Sequence, residues 1–460
     1  MNGRPARWLR AAAIVVLAAG WARAEFHAGA ARRPITPRLD SGPVWLAGFG
    51  QNRAATGIHD ELWARCAALG DGKRAVALCS VDLIGLFLDE VQQIRAAVRE
   101  RFSGLDVIVT ATHVHEGPDT MGLWGPRPGA SGRNPEYNRL VIERVAEAAQ
   151  EAAATMRPAT LRAARLASQE LESFIHDTRP PVVLDAELIV LALDGRERKP
   201  IATLVNWANH PETLGSRNTL VTADYPAFFY QRLEQRRGGV AILFNGAVGG
   251  MQSPLGATVR DPATGQPAPE ASFRKAELIG SRVADLACEA LTRARRLRVD
   301  AVRYRETEVR IPLANPAFLR AMEAGVFGAV KRLEPDGTLR TLVGLLRLDS
   351  RGRPLVEAAM IPGEAYPELS RGGIQRYPGA DFPDAPLEKP LKQTMTAPYR
   401  MLVGLANDEI GYIIPKAEWD EKPPWLNNAP KSWYGEINSV GPEAAPRIAS
   451  AFEELARGRQ

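Results

Sequence analysis

The chain holds six histidines in 460 residues, and two of them stand two positions apart in Thr112-His113-Val114-His115-Glu116-Gly117-Pro118. This segment directly follows an apolar run, residues 107–111. In an extended chain, residues two apart project to the same side. His113 and His115 are therefore expected to face one point just past the carboxyl end of a strand, where α/β sheets place their sites. A second run, residues 201–205, leads into Asn206-Trp207-Ala208-Asn209-His210-Pro211. Alone, His210 reads as a structural histidine; beside the His-x-His segment it becomes a candidate third imidazole. A third run, residues 356–361, ends in Ile361-Pro362-Gly363-Glu364 and offers a carboxylate as a metal ligand or general base. A fourth, residues 400–405, leads through Asn407 to Tyr412. Imidazoles with oxygen donors suit zinc, which accepts N and O ligands and keeps a water when it is catalytic. The HExxH helix motif, the G-x-S-x-G elbow, the Walker A loop and the G-x-G-x-x-G turn are all absent.

The elements that must carry these residues alternate. Residues 76–83, 107–111, 200–207 and 240–245 read as strands. Residues 91–101, 137–156, 225–235 and 275–297 read as helices. This rhythm predicts an α/β fold with a mixed sheet and helices on its faces. From about residue 301 the texture becomes more antiparallel, with strands at 304–311, 342–349 and 356–361 and a helix at 316–327. No linker composition separates the two parts, so residues 25–300 and 301–460 are expected to form two lobes packed on each other. Residues 374–398 hold five prolines and read as a long ordered loop.

Composition is ordinary for a globular chain: 45% apolar, 24% charged and 7% aromatic residues. This excludes disorder and a multi-span membrane protein. The formal charge of +5 invites a nucleic-acid partner, but its source lies elsewhere. Arg4, Arg7 and Arg10, the apolar residues 11–19 and the small residues Ala22 and Ala24 form a secretory signal pattern over residues 1–24. That segment carries four arginines and no acid, so the remainder holds 54 basic against 53 acidic residues. No basic stripe with interleaved aromatics is present, and no nucleic acid is expected. The expected location is periplasmic or secreted. Of the three cysteines, Cys66 and Cys79 flank a turn at Asp71-Gly72-Lys73 in an expected hairpin. They read either as a cross-strand disulfide or as two buried thiols.

Taken in order, the motifs resemble the neutral/alkaline non-lysosomal ceramidase family. They are Gly57-Ile58-His59-Asp60 with Leu62-Trp63-Ala64-Arg65, Thr110-Ala111-Thr112-His113-Val114-His115, Asn206-Trp207-Ala208-Asn209-His210-Pro211, Ile361-Pro362-Gly363-Glu364, Gly404-Leu405-Ala406-Asn407 running to Tyr412, and Tyr434-Gly435-Glu436. They span most of residues 30–450 and match the family's catalytic domain, without its immunoglobulin-like C-terminal domain. The resemblance implies His113, His210, Glu364 and Tyr412 as zinc ligands. It implies His115 as the group that polarises substrate or donates a proton, and Arg179 as an arginine near the substrate carbonyl. The implied reaction is hydrolysis of the N-acyl amide of ceramide or a related N-acyl lipid by a hydroxide on Zn2+. The implied partners are that lipid and, transiently, a membrane surface, for which Trp45, Trp124, Trp425 and Trp433 are candidates. Two departures stand out. Glu116-Gly117-Pro118-Asp119 replaces the family's Ser-Gly-Pro and glycines, which would add acid at the mouth of the site. Gly249-Gly250-Met251-Gln252-Ser253-Pro254 lacks the family's aspartate. The alternatives are the same zinc site acting on another amide or ester, and a non-catalytic exported binding protein.

Overall fold

The computed structural model describes residues 25–458 apart from 181, 331 and 332. The signal pattern of residues 1–24 lies outside them. Three mixed sheets form the body of the molecule. The first runs Leu105–Ala111, Ala75–Val81, Trp63–Gly70, His27–Pro34 and Arg157–Pro158. The second runs Val240–Asn245, Pro200–Trp207, Leu188–Asp194, Thr160–Leu166 and Arg295–Leu297. The third, from the second lobe, runs Ala301–Pro312, Thr338–Ser350, Arg353–Met360 and Tyr399–Val403.

The expected mixed sheet with helices on its faces is thus divided into three, each with helices on its outer face. Leu88–Arg99 and Pro135–Ala154 cover the first sheet and Tyr225–Arg237 and Phe273–Thr292 the second, while Ala444–Arg457 packs on the third. The inner faces meet one another. Leu78 and Ile108 of the first sheet share one core with Leu191 and Phe244 of the second and Leu346 and Met401 of the third. Strands buried on both faces read as continuous apolar runs, and all seven residues of Leu188–Asp194 are buried. Such a run cannot show whether a helix or another sheet covers its second face.

Helix starts follow their caps. Asn134 accepts from the Glu136 and Tyr137 amides ahead of Pro135, and Ser272 accepts from Lys275. One expected helix, over 275–297, ends at Thr292, because Arg295–Leu297 instead pairs antiparallel with Leu161–Ala163 as an edge strand. Among the described residues no helix is long and apolar enough to cross a membrane.

The hairpin around Asp71 forms, with Cys66 directly opposite Cys79 and the two joined in a disulfide across 13 residues. Of the two sequence readings, the bonded one holds. A loop of this size restricts the unfolded chain by about 3 kcal/mol. Denaturant unfolding of the reduced protein is expected to show an unfolding free energy lowered by that amount, and so a lower midpoint. An unchanged midpoint would show the bond to be energetically neutral.

Each sheet contains one parallel pair: Ala75–Val81 with Leu105–Ala111, Pro200–Trp207 with Val240–Asn245, and Arg353–Met360 with Tyr399–Val403. The candidate motifs leave from the carboxyl ends of these pairs. The ends are laced together. The Ala111 amide donates to Leu405 O, the Gly404 amide to Asn245 O and the Asn407 amide to Val109 O. The three sheets therefore converge at one place.

Candidate functional site

Past Ala111 the chain is no longer a strand, and His113 has a left-handed backbone with φ of +69°. The alternating projection expected for an extended His-x-His does not operate. The rings converge because the loop is pinned. The Thr112 amide donates to Val81 O, that of His113 to Leu83 O and that of His115 to Pro211 O. A non-glycine residue at positive φ costs of order 1–3 kcal/mol and persists only where its surroundings over-determine it.

His113, His115 and His210 are buried, and one ring nitrogen from each lies within 4.8 Å of the others. Glu364 joins them. Its Oε2 is 3.1 Å from Nε2 of His210 and 3.3 Å from Nε2 of His113. The opposite nitrogens are tied to the backbone: Nδ1 of His113 is 2.7 Å from Ile84 O, and Nδ1 of His210 is 2.7 Å from Gln252 O. Donation from Nδ1 to a carbonyl fixes the tautomer and turns the Nε2 lone pair toward the centre, as metal-binding imidazoles require. Glu364 is in turn placed by a short parallel pair, Glu364–Ala365 beside Tyr412–Ile413. Tyr412 is thereby its strand neighbour, and its ring packs edge-on between Tyr366 and Tyr434.

Charge follows from this packing. Burial alone would push the Glu364 carboxyl up, but His113 and His210 hold it well below the usual carboxylate range. Burial opposes a proton on His210, yet the hydrogen bond that its Nε2–H donates to Glu364, with the charges of Glu212 and Glu364, raises it to about 9. Burial, then the charges of His113 and His210, push His115 well below the ordinary imidazole value. Burial and the Glu364 charge push the Tyr412 phenol well up.

His113, His115, Glu364 and Tyr412 line one cavity. Its other walls are mostly apolar, with Phe87, Met121, Leu123, Phe318, Met322 and Phe327, and Glu409 and Asn438 add polar groups. Sequence reading had no reason to send the helix Pro316–Glu323 here, because its apolar residues look like any amphipathic stripe. Tyr434 also lines the cavity and leaves 46% of its surface exposed.

Arg179 is not among the lining residues. Its guanidinium donates to Glu436 and Tyr366 Oη, each at 2.9 Å, and to Glu418 O at 2.7 Å, between the rings of Tyr366 and Trp433. It stands behind Tyr412, one ring removed, and braces Tyr366. The extra acids are not at the mouth either. Asp119 is buried and accepts the amides of Met121, Gly122 and Trp124. Glu116 is fully buried, and burial, reinforced by the charge of Asp224, pushes its carboxyl well above the ordinary range. Two residues that the motifs did not single out complete the surroundings. Glu212 lies 3.2 Å from Nδ1 of His115, and Asn245 bonds both histidine loops. Glu212 was visible only as an acid two positions after His210.

No family model matches the sequence, and no curated protein matches it. Two solved structures share its fold. One is the neutral ceramidase from Pseudomonas aeruginosa, with a TM-score of 0.71 and 15% identity over 95% of this chain and 75% of that one. The other is a ceramidase complexed with C2, with a TM-score of 0.70 and 14% identity over 95% of this chain and 76% of that one. The resemblance carried by the motifs thus extends to the whole described fold.

Proposed function

We propose that this protein is an exported, zinc-dependent amidohydrolase that cleaves the N-acyl amide bond of ceramide or a related N-acyl lipid. The observation that carries the reading is the position of two Nε2 atoms and a carboxylate in a largely apolar cavity. The donor set fits zinc: two imidazoles oriented by backbone carbonyls at Nδ1 so that each Nε2 faces the centre, Glu364 between them, and Tyr412 beside it. Zinc bound there supplies a Lewis acid and lowers the pKa of a water to about 7. The residues do the rest. His113, His210, Glu364 and Tyr412 hold the ion. The apolar walls bind the acyl chain, exclude bulk water and present the amide end-on. His115 carries a proton at Nε2 toward the leaving amine. The fold shared with the neutral ceramidases supports this substrate class, and the Cys66–Cys79 disulfide supports an oxidising compartment.

Metal analysis of the purified protein, beside fatty-acid release from N-acyl sphingosine, tests the reading. About one zinc per chain and chelator-sensitive release are expected. A metal-free protein, or release indifferent to chelation, would sink it. Zinc with hydrolysis only of esters or N-acyl amino acids would move the substrate class.

Zinc affinity is expected to depend on pH. A proton on His210 competes with the ion, and that nitrogen is raised to about 9. Affinity therefore rises as pH climbs to about 9 and weakens roughly tenfold for each unit below it while one proton is displaced. Competition titrations with a chelator at pH 6, 7 and 8 measure the slope; a flat response would place the ion elsewhere.

Contact with a lipid surface fits the rim of the cavity, which Trp124 also lines, better than Trp425 and Trp433. Trp433 donates to Asp420 and Trp425 to Glu421 O. Six large hydrophobic residues are exposed among the described residues, and Leu319, Tyr434 and Ile437 are three of them. They lie together, because Asn315, which caps the helix bearing Leu319, donates to Ile437 O. Clustered exposed apolar residues mark interaction sites. Leu319→Asp with Ile437→Asp is expected to abolish co-sedimentation with ceramide-containing vesicles while sparing hydrolysis of a short-chain soluble substrate. Equal sedimentation by the variant would refute the contact.

A further inference from the structure

The three imidazoles are not held alike. His113 and His210 each give Nδ1 to a backbone carbonyl and face Glu364. His115 has no such carbonyl. The polar group at its Nδ1 is the Glu212 carboxylate, with Oε2 at 3.2 Å. Both side chains are more than nine-tenths buried. The contact is at hydrogen-bond distance without hydrogen-bond alignment, a looseness common at catalytic contacts before substrate closes the site.

The rest of the His115 ring is boxed in. Gly48, at φ of +92°, lies so close that a Cβ there would sit 2.2 Å from Cγ of His115. The Phe49 ring meets it edge-on at 5.0 Å, and Arg53 donates to the His115 carbonyl. The glycine is required by this approach, since any side chain would displace the ring. These contacts fix the plane of the ring but leave open which nitrogen faces the cavity. Among the described residues, the Glu212 carboxylate beside Nδ1 is what distinguishes the two.

Resting on the amidohydrolase reading, we infer that Glu212 is the positioning residue of His115. It holds Nδ1–H and so presents a bare Nε2 to the cavity. In hydrolysis a C–O bond forms from water to the acyl carbon and the C–N bond breaks. His115 Nε2 takes a proton from the water and passes it to the departing amine nitrogen, while Nδ1–H stays on Glu212. A ring flipped or held in the other tautomer has no lone pair where that proton must be received.

The test uses the zinc-loaded full chain with Glu212→Ala and Glu212→Gln. In Glu212→Ala, kcat on N-acyl sphingosine is expected to fall roughly 10- to 100-fold, the usual effect of losing an outer partner. KM should stay within about twofold and zinc at one per chain. Glu212→Gln keeps an acceptor oxygen in place and should recover most of kcat. Nitrogen-15 spectra of histidine-labelled protein, with His115 assigned through His115→Gln, should show Nδ1–H in the wild type and in Glu212→Gln. Glu212→Ala should gain Nε2–H. An unchanged kcat with an unchanged tautomer overturns the inference. So does loss of zinc from Glu212→Ala, which would make the pair part of the metal's own support. If the wild type hydrolyses no N-acyl substrate, the functional reading fails, and the tautomer result alone decides the role of Glu212.

Discussion

Replacing His113 by alanine is expected to remove bound zinc and hydrolysis together. His113 supplies one of two Nε2 atoms that face Glu364 Oε2, at 3.3 Å against 3.1 Å for His210. With it gone, the proposed four-donor set loses one of its two imidazoles, and Glu364 loses one of the two rings that face it, so the remaining donors hold the ion far more weakly. Loss of the ion's several kcal/mol of charge stabilisation corresponds to a rate loss of about a thousandfold or more. The fold should survive, because the His113 amide still donates to Leu83 O and the loop stays pinned. His27→Ala is the control: that residue bonds Glu25 O at the surface, far in sequence from every candidate ligand. Zinc content by elemental analysis and fatty-acid release measure the two effects. Stoichiometric zinc in His113→Ala would remove His113 from the ligand set, and retained activity would remove the metal from the reaction.

The second large effect is expected from Asn245→Ala, which touches no ligand. Asn245 is fully buried at the end of Val240–Asn245. Its Nδ2 donates to Thr112 O at 2.8 Å and Asn209 O at 3.1 Å, and its Oδ1 accepts the amides of Asn209 and Gly246. One side chain thus ties the residue before His113 to the residue before His210. Alanine leaves several buried backbone groups without partners, at about 1–3 kcal/mol each, so a loss of roughly 3–5 kcal/mol is expected. The loops should also drift apart, and zinc affinity should fall with stability. Thermal unfolding of the metal-free variant separates the two effects. A melting temperature and zinc affinity both equal to wild type would show that the loops are held by other means.

Much of the site was legible because chain direction is local information. An apolar run followed by polar residues marks a strand end, and His113, His115, Glu364 and Tyr412 all reach one cavity from such ends, with His210 joining through Glu364. Most expected strands and helices were legible for the same reason, but the 316–327 helix ends at Glu323 and the 275–297 helix at Thr292. Past Thr292, three residues at a sheet edge found strand partners that no local pattern announces. The Cys66–Cys79 pairing was legible as a possibility, and the register decided it. Arg179, expected near the substrate carbonyl, does not line the cavity. The sequence shows an arginine near a buried strand, but not the three acceptors from distant segments that hold it at Glu436, Tyr366 and Glu418. The acids Glu116 and Asp119 read as a charged mouth, and the fold buries both.

The sequence by itself determined the donor types and their placement at strand ends, because both depend only on residue identity and on neighbours along the chain. The tertiary structure alone decided three things: that three sheets face one another, that a left-handed turn at His113 aims its ring, and that Glu212 rather than a carbonyl meets His115. Each depends on contacts between segments tens to hundreds of residues apart, held by buried asparagines and close-packed inner faces whose partners no local pattern specifies.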